Sequence, residues 1–228
     1  MEQDVMVNGV RLHCEITGRG QPLLLLHGNG EDGSIFDAAA PLLAERFTVV
    51  RPDARGHGKS QPVQEFHYAD MAQDMIALTE ALALERPIFF GFSDGGIAAL
   101  LAAIARPGLF SLLIPAGANT TPKGVKAHCR ALFRLIYLIK RDPKLALMFR
   151  EPNLTESDLA GIQEPVSVLC GERDLILRSD SEKIAANIPN SRLRVLPGEG
   201  HGSYIVHSTK IARLILEEIA FWQERGLL

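Results

Sequence analysis

Cysteine is scarce in this chain, and so are the other marks of a stapled, metal-built or membrane-spanning protein. Three cysteines among 228 residues, Cys14, Cys129 and Cys170, form an odd and scattered set. They suit reduced thiols in a cytosol better than a disulfide framework. No apolar run approaches the ~20 residues that a bilayer-spanning helix needs. The opening Met1-Glu2-Gln3-Asp4 is acidic and lacks the basic, then apolar, then small-residue order of a secretion signal, so a cytoplasmic location is expected. Internal repeats, low-complexity tracts and metal-ligand spacings are absent, and no cofactor or metal is called for. Charge of one sign is also missing: 24 Lys and Arg stand against 27 Asp and Glu, a net charge of −3. That balance offers neither nucleic acid nor an anionic membrane an electrostatic reason to bind. What remains is an ordinary globular composition, 46% apolar and 22% charged, long enough for one domain with a substantial core.

Along the chain, strand and helix signals alternate. Met6-Val7 and Leu12 to Ile16 flank Asn8-Gly9-Val10, a hairpin signal. Leu23-Leu24-Leu25-Leu26, bounded by Pro22 and Gly28, reads as a strand buried on both faces. Ser34 with Asp37 predicts a capped helix running to about Glu45, and Phe47 to Val50 is the next strand. Asp70 and Gln73 predict a second capping box, for an amphipathic helix from Met71 to Ala83. Strands follow at Pro87 to Phe90 and near Leu112 to Ile114, with a helix to Ala105 between them. Residues 119–164 read as helices with no strand. Strands resume at Val166 to Cys170 and Arg192 to Leu196, separated by a helix near Glu182 to Asn187, and a last helix spans about Ser208 to Arg225. This alternation predicts an α/β fold: a mainly parallel, doubly wound sheet of about eight strands. Residues 1–118 and 165–228 would form the core, and 119–164 a short helical lid inserted after the sixth strand.

Chemistry concentrates at three strand ends. Gly91-Phe92-Ser93-Asp94-Gly95-Gly96 stands between an apolar strand and the apolar helix opening at Ile97, which is the setting of a nucleophile elbow. Glycines on either side of Ser93 let strand and helix close tightly around a strained, exposed hydroxyl. A serine is a poor nucleophile without a base and a carboxylate to orient that base. Downstream, Asp174 follows the strand ending at Cys170, and His201 lies in Gly198-Glu199-Gly200-His201-Gly202 just past Leu196. His207 abuts the final helix, His128 reads as a solvated lid residue, Asp180 as part of a helix cap and Glu172 as a turn residue. Two N–H donors are expected for the negative oxygen of the transition state: the backbone of Asp94, and that of Asn29 in the loop His27-Gly28-Asn29-Gly30.

With Leu25-Leu26-His27-Gly28, Asp53-Ala54-Arg55-Gly56-His57-Gly58-Lys59-Ser60, the elbow, Gly171-Glu172-Arg173-Asp174 and Gly200-His201-Gly202 together, the chain resembles the lidded, single-domain α/β-hydrolases. The resemblance implies Ser93 as nucleophile, Asp174 as acid, His201 as base, and Asn29 and Asp94 as oxyanion donors. It also implies a structural turn for Asp53, Arg55, His57 and Ser60. The expected reaction is hydrolysis of a small carboxylic ester, thioester or amide. Carbon–carbon bond hydrolysis and cofactor-free perhydrolysis use similar triads, and a ligand-binding scaffold with little turnover is the alternative from another class. Two features depart from the usual pattern. The lid is short, and its apolar helix near Ala131 to Ile139 suits either a roof over the pocket or a homodimer contact. Asp94 places an acid beside the nucleophile, where a carboxylate about 6 Å from the oxyanion opposes it by about 3 kcal/mol at an effective dielectric near 20. It is either a first-turn residue favoured by the helix dipole or an anchor for a substrate amine, as in amino-acid-ester hydrolases with similar elbows.

Overall fold

The computed structural model describes residues 1–228. Eight strands form one sheet: β1 (Glu2–Val7), β2 (Val10–Gly18), β3 (Gln21–Leu26), β4 (Phe47–Pro52), β5 (Ile88–Phe92), β6 (Leu112–Ala116), β7 (Val166–Gly171) and β8 (Ser191–Leu196). Their spatial order is β1-β2-β4-β3-β5-β6-β7-β8. The β1–β2 and β2–β4 pairs are antiparallel and every other pair is parallel. The β1–β2 hairpin turns at Asn8 and Gly9, both at positive φ (45° and 77°), as a two-residue turn matched to strand twist requires.

The leucine run in β3 shows why the sheet is covered on both faces. Leu24 and Leu26 join one buried cluster, with α2 (Tyr68–Ala81) and α3 (Asp94–Ala105); Leu23 and Leu25 join the other, with α1 (Ala40–Ala44) and α8 (Lys210–Gln223). Successive strand side chains point to opposite faces, so an unbroken apolar run is stable only between two helical layers. All four leucines are fully buried, each worth about 1.5–3 kcal/mol of transfer free energy. The chain passes from β3 to β4 and then crosses back to β5 on the other side of β3. The loops after β3 and β5 therefore leave adjacent strands in opposite directions and open a crevice at their carboxyl ends.

Between β6 and β7 lie a short 3-10 helix (Pro122–Gly124), α4 (Ala127–Lys140), α5 (Pro143–Arg150) and α6 (Glu156–Ala160). Gly124 and Lys126 exchange backbone hydrogen bonds with Leu177 and Leu175, an isolated bridge that ties this segment to the loop after β7. Leu154, Leu159 and Ile162 return it to the core.

Several local expectations are corrected. Ser34 does not cap a helix with Asp37. Asp32 accepts from the Ser34 N–H to cap a short 3-10 helix (Gly33–Phe36), Asp37 pairs with Arg51, and α1 starts only at Ala40. The Asp70–Gln73 box does not form: α2 starts at Tyr68, whose N–H donates to Glu151 from the end of α5, while Asp70 pairs with Arg55. The helix after β7, α7 (Arg178–Asn187), begins four residues before Glu182, and Leu177 precedes it. Asp180 is no part of its cap, because its carboxylate accepts from the N–H and hydroxyl of Thr120.

Candidate active site

Ser93 sits at φ 52°, ψ −112° between β5 and α3, a conformation that costs about 1–3 kcal/mol and survives only where packing enforces it. The enforcement is visible. Ser93 N–H donates to Ala116 of β6 at 2.8 Å. A Cβ on Gly91 would lie 2.1 Å from the Gly95 carbonyl, and one on Gly95 would lie 2.4 Å from that of Leu26. Any larger residue at either position would push strand and helix apart.

The turn delivers the Ser93 hydroxyl to His201, with Oγ 3.1 Å from Nε2. His201 Nδ1 lies 2.6 Å from Asp174 Oδ1. Asp174 is buried, and it also accepts from the N–H groups of Ile176 (2.9 Å) and Gly171 (3.2 Å). Burial pushes its carboxyl up, but the His201 contact and the two backbone donors outweigh that and hold it below the usual carboxylate range. The anionic Asp174 oxygen next to Nδ1 selects the tautomer with hydrogen there, leaving Nε2 as acceptor for the serine proton. Phe92 packs against the imidazole at a tilt of 45°, with ring centroids 4.9 Å apart. Gly117, at φ +64°, clears the other side: a Cβ there would lie 2.7 Å from His201 Cε1.

The loop after β3 is braced from within. The Ala54 N–H donates to His27 Nε2 at 2.9 Å, so Nδ1 carries the proton and donates to the Gly28 carbonyl at 2.8 Å. A Cβ on Gly28 would lie 3.1 Å from Ser93 Cβ, which places this loop against the elbow. The Asn29 N–H takes no partner in the backbone network, and the Asp94 N–H belongs to the unpaired first turn of α3. Asp53, Arg55, His57 and Ser60 stand outside the site. Asp53 accepts from the N–H groups of Gly33 and Lys59, Arg55 forms a bidentate pair with buried Asp74, His57 donates to the Arg55 carbonyl, and Ser60 donates to the Asp53 carbonyl. His128 is exposed on α4, and Glu172 accepts from the Gly198 N–H.

Asp94 is held by two side-chain donors. Its buried carboxylate accepts from the Tyr68 hydroxyl and from Asn29 Nδ2, both at 2.8 Å, and Asn29 Nδ2 also reaches the Lys144 carbonyl of α5 at 3.1 Å. Burial raises the Asp94 pKa to about 6, although Asn29 and Tyr68 both oppose that shift. The Tyr68 hydroxyl is raised well above its ordinary value, by burial first and then by Asp94.

These groups line a cavity of about 310 Å³. Its floor carries Ser93, His201, Asn29 and Asp94. Phe133, Leu145 and Met148 of α4 and α5 supply an apolar side. Sequence reading missed Glu31, Tyr68, Glu151 and Gly117. Glu31 Oε2 accepts from the Gly28 N–H at 2.9 Å, and burial raises its pKa. Its position three residues past Gly28 was a local signal. Tyr68 and Glu151 carried none, since 26 and 83 residues separate them from the groups they bind.

A hydrogen-bonded Ser-His-Asp line at the carboxyl edge of a doubly wound sheet, with unpaired N–H groups in the loop after β3 and at the start of α3, defines a hydrolase-type site. Residues 23–214 match the Alpha/beta hydrolase family, and the chain belongs to that family. It is 28% identical to the Serine hydrolase BPHL of Homo sapiens over 243 residues, covering 92% of this chain and 83% of that protein. An uncharacterized protein of Mycobacterium tuberculosis is 35% identical over 143 residues, 62% of this chain; the match spans only 41% of that relative's length. Among solved structures, a thermophilic esterase from Thermogutta terrifontis superposes with a TM-score of 0.81 at 22% identity, covering 96% of this chain and 98% of that one.

Proposed function

We propose that this hydrolase cleaves a small carboxylic ester, or a related thioester or amide, through an acyl-enzyme on Ser93. The observation that carries the reading is the continuous line Ser93 Oγ, His201 Nε2, His201 Nδ1, Asp174 Oδ1, opening into the 310 Å³ cavity. Ser93 attacks the carbonyl as His201 takes its proton. Asp174 holds the imidazole in place and stabilises the imidazolium, and the N–H groups of Asn29 and Asp94 receive the oxyanion. His201 returns the proton to the leaving alcohol. A water that His201 deprotonates then releases the acid. The helices between β6 and β7 act as the lid, and the name of the human relative, a serine hydrolase, agrees with this reaction class.

Besides His201, the ionisable side chains lining the cavity are Glu31, Asp94, Glu151 and the Tyr68 phenol; none is Lys or Arg. Such a lining disfavours anionic substrates and favours neutral or cationic ones. That composition supports the sharper reading, in which an acyl group bearing an amine is held near Asp94. Tyr68 and Asn29 occupy one acceptor position on each Asp94 oxygen, and a carboxylate offers about four.

The test is a panel of short acyl, long acyl and aminoacyl esters, with labelling by a serine-reactive phosphonate. Label on Ser93 and its loss in Ser93→Ala, together with turnover, support the reading. Full esterase activity in Ser93→Ala sinks it. A single burst without turnover would assign the chain to a ligand-binding scaffold instead. An unchanged preference for aminoacyl over plain acyl esters in Asp94→Asn removes the amine anchor alone.

A further inference from the structure

The chain-wide charge of −3 conceals an uneven distribution. Between Pro122 and Arg150 the sequence carries eight Lys and Arg and a single acid, Asp142. That acid is spent on capping α5, where it accepts from the Lys144 N–H. This basic stretch includes α4, a 14-residue helix with no buried residue. One face of α4 meets the pocket through Phe133. The opposite face presents Leu132, Leu135, Leu138 and Ile139, each 54–76% exposed, with His128 at its amino-terminal end. These positions recur at helical spacing and form a continuous outward stripe. Exposed Lys123, Arg134, Lys140, Arg141 and Arg150 lie in the same segment.

We propose that α4 docks on an anionic lipid surface, its apolar stripe seated at the headgroup boundary and the exposed cations of the same segment held against lipid phosphates. Two observations select this occupant. An apolar helical face in a basic segment is the pattern of an interfacial helix, which binds through buried apolar area and anionic lipid together. A second copy of this chain would bring the same cation-rich segment against itself across a two-fold axis, with no free acid from the segment to offset the repulsion. At 14 residues, about 21 Å, the helix is too short to span a bilayer and suits lying in its surface. The whole-chain charge of −3, which argued against a membrane partner, averages this segment with an acidic remainder.

Co-sedimentation of the full chain with vesicles tests the proposal, using phosphatidylcholine alone and phosphatidylcholine mixed with phosphatidylglycerol. Binding to the mixed vesicles should exceed binding to the neutral ones by on the order of tenfold, and about 0.5 M salt should remove most of the difference. Leu135→Ser with Ile139→Ser, and separately Lys140→Glu with Arg141→Glu, should each weaken binding by on the order of tenfold. Hydrolysis of a water-soluble ester and the melting temperature should stay unchanged in both variants, which separates lost docking from lost folding or chemistry. Equal binding to the two vesicle types, no binding to either, or binding unaffected by both pairs of substitutions overturns the proposal. So does a dimer in sedimentation velocity that Leu135→Ser dissociates, since that result gives the stripe to a second copy.

Discussion

Replacing Asp94 with Asn turns the carboxylate beside the nucleophile into a measurement of how much its burial costs. In the folded protein Asp94 titrates at about 6, against 3.8 for the free side chain. A carboxyl group whose pKa is raised by folding stabilises the fold while protonated, and that stability is lost as pH rises through the folded pKa. The full cost is about 3 kcal/mol, from the 1.36 kcal/mol that one pKa unit represents. About 2 kcal/mol of it falls between pH 4.5 and pH 7.5. Asparagine does not titrate, so Asp94→Asn escapes this term and keeps a roughly constant offset from its altered hydrogen bonds to Tyr68 and Asn29. The observable is the stability of the variant minus that of the wild type, from urea unfolding at a series of pH values. This difference should move by about 2 kcal/mol in favour of the variant between pH 4.5 and 7.5. Every other acid titrates in both proteins and cancels. A difference that stays flat to within about 0.5 kcal/mol would refute the reasoning, because Asp94 would then ionise as freely folded as unfolded. A change of opposite sign would mean that its donors outweigh its burial.

Three further outcomes follow from the geometry. Asp174→Asn should lower kcat by on the order of 10⁴ while leaving phosphonate access to the pocket intact, since it presents a donor where Nδ1 needs an acceptor; steady-state ester kinetics check this. Gly117→Ala should reduce kcat by on the order of 10² with KM little changed, because the added methyl, 2.7 Å from His201 Cε1, displaces the imidazole from Ser93. Arg55→Ala should cost about 3–5 kcal/mol in urea unfolding without altering kcat of the folded fraction, as it leaves the charge of Asp74, whose side chain is 1% exposed, with only the neutral amide of Asn8 as donor.

How much of this was legible depended on how far each residue's partner lies along the chain. The Asn8-Gly9 turn, the two-faced leucines of β3 and the elbow glycines express local backbone geometry or burial pattern, and the sheet forms around all of them. Helix caps failed for the opposite reason. Ser34 and Asp37 have the right spacing, but Asp37 is drawn to Arg51, and the start of α2 is taken by Glu151 from the far end of α5. A short polar side chain goes to whichever partner the fold brings near, and spacing cannot rank a neighbour against a group 83 residues away.

By itself, then, the sequence determined the layered sheet, the strained turn at Ser93 and the placement of Asp174 and His201 after successive strands. These rest on apolar periodicity, glycine positions and chain order, all of which are local or additive along the chain. Only the tertiary structure decided what surrounds them: the Tyr68 and Asn29 donors that hold Asp94, the Gly117 clearance for His201, and the turning of α4 so that Phe133 meets the pocket while Leu135 and Ile139 face outward. Each depends on where two separate segments meet in space, and helical periodicity marks an apolar face without saying what will cover it.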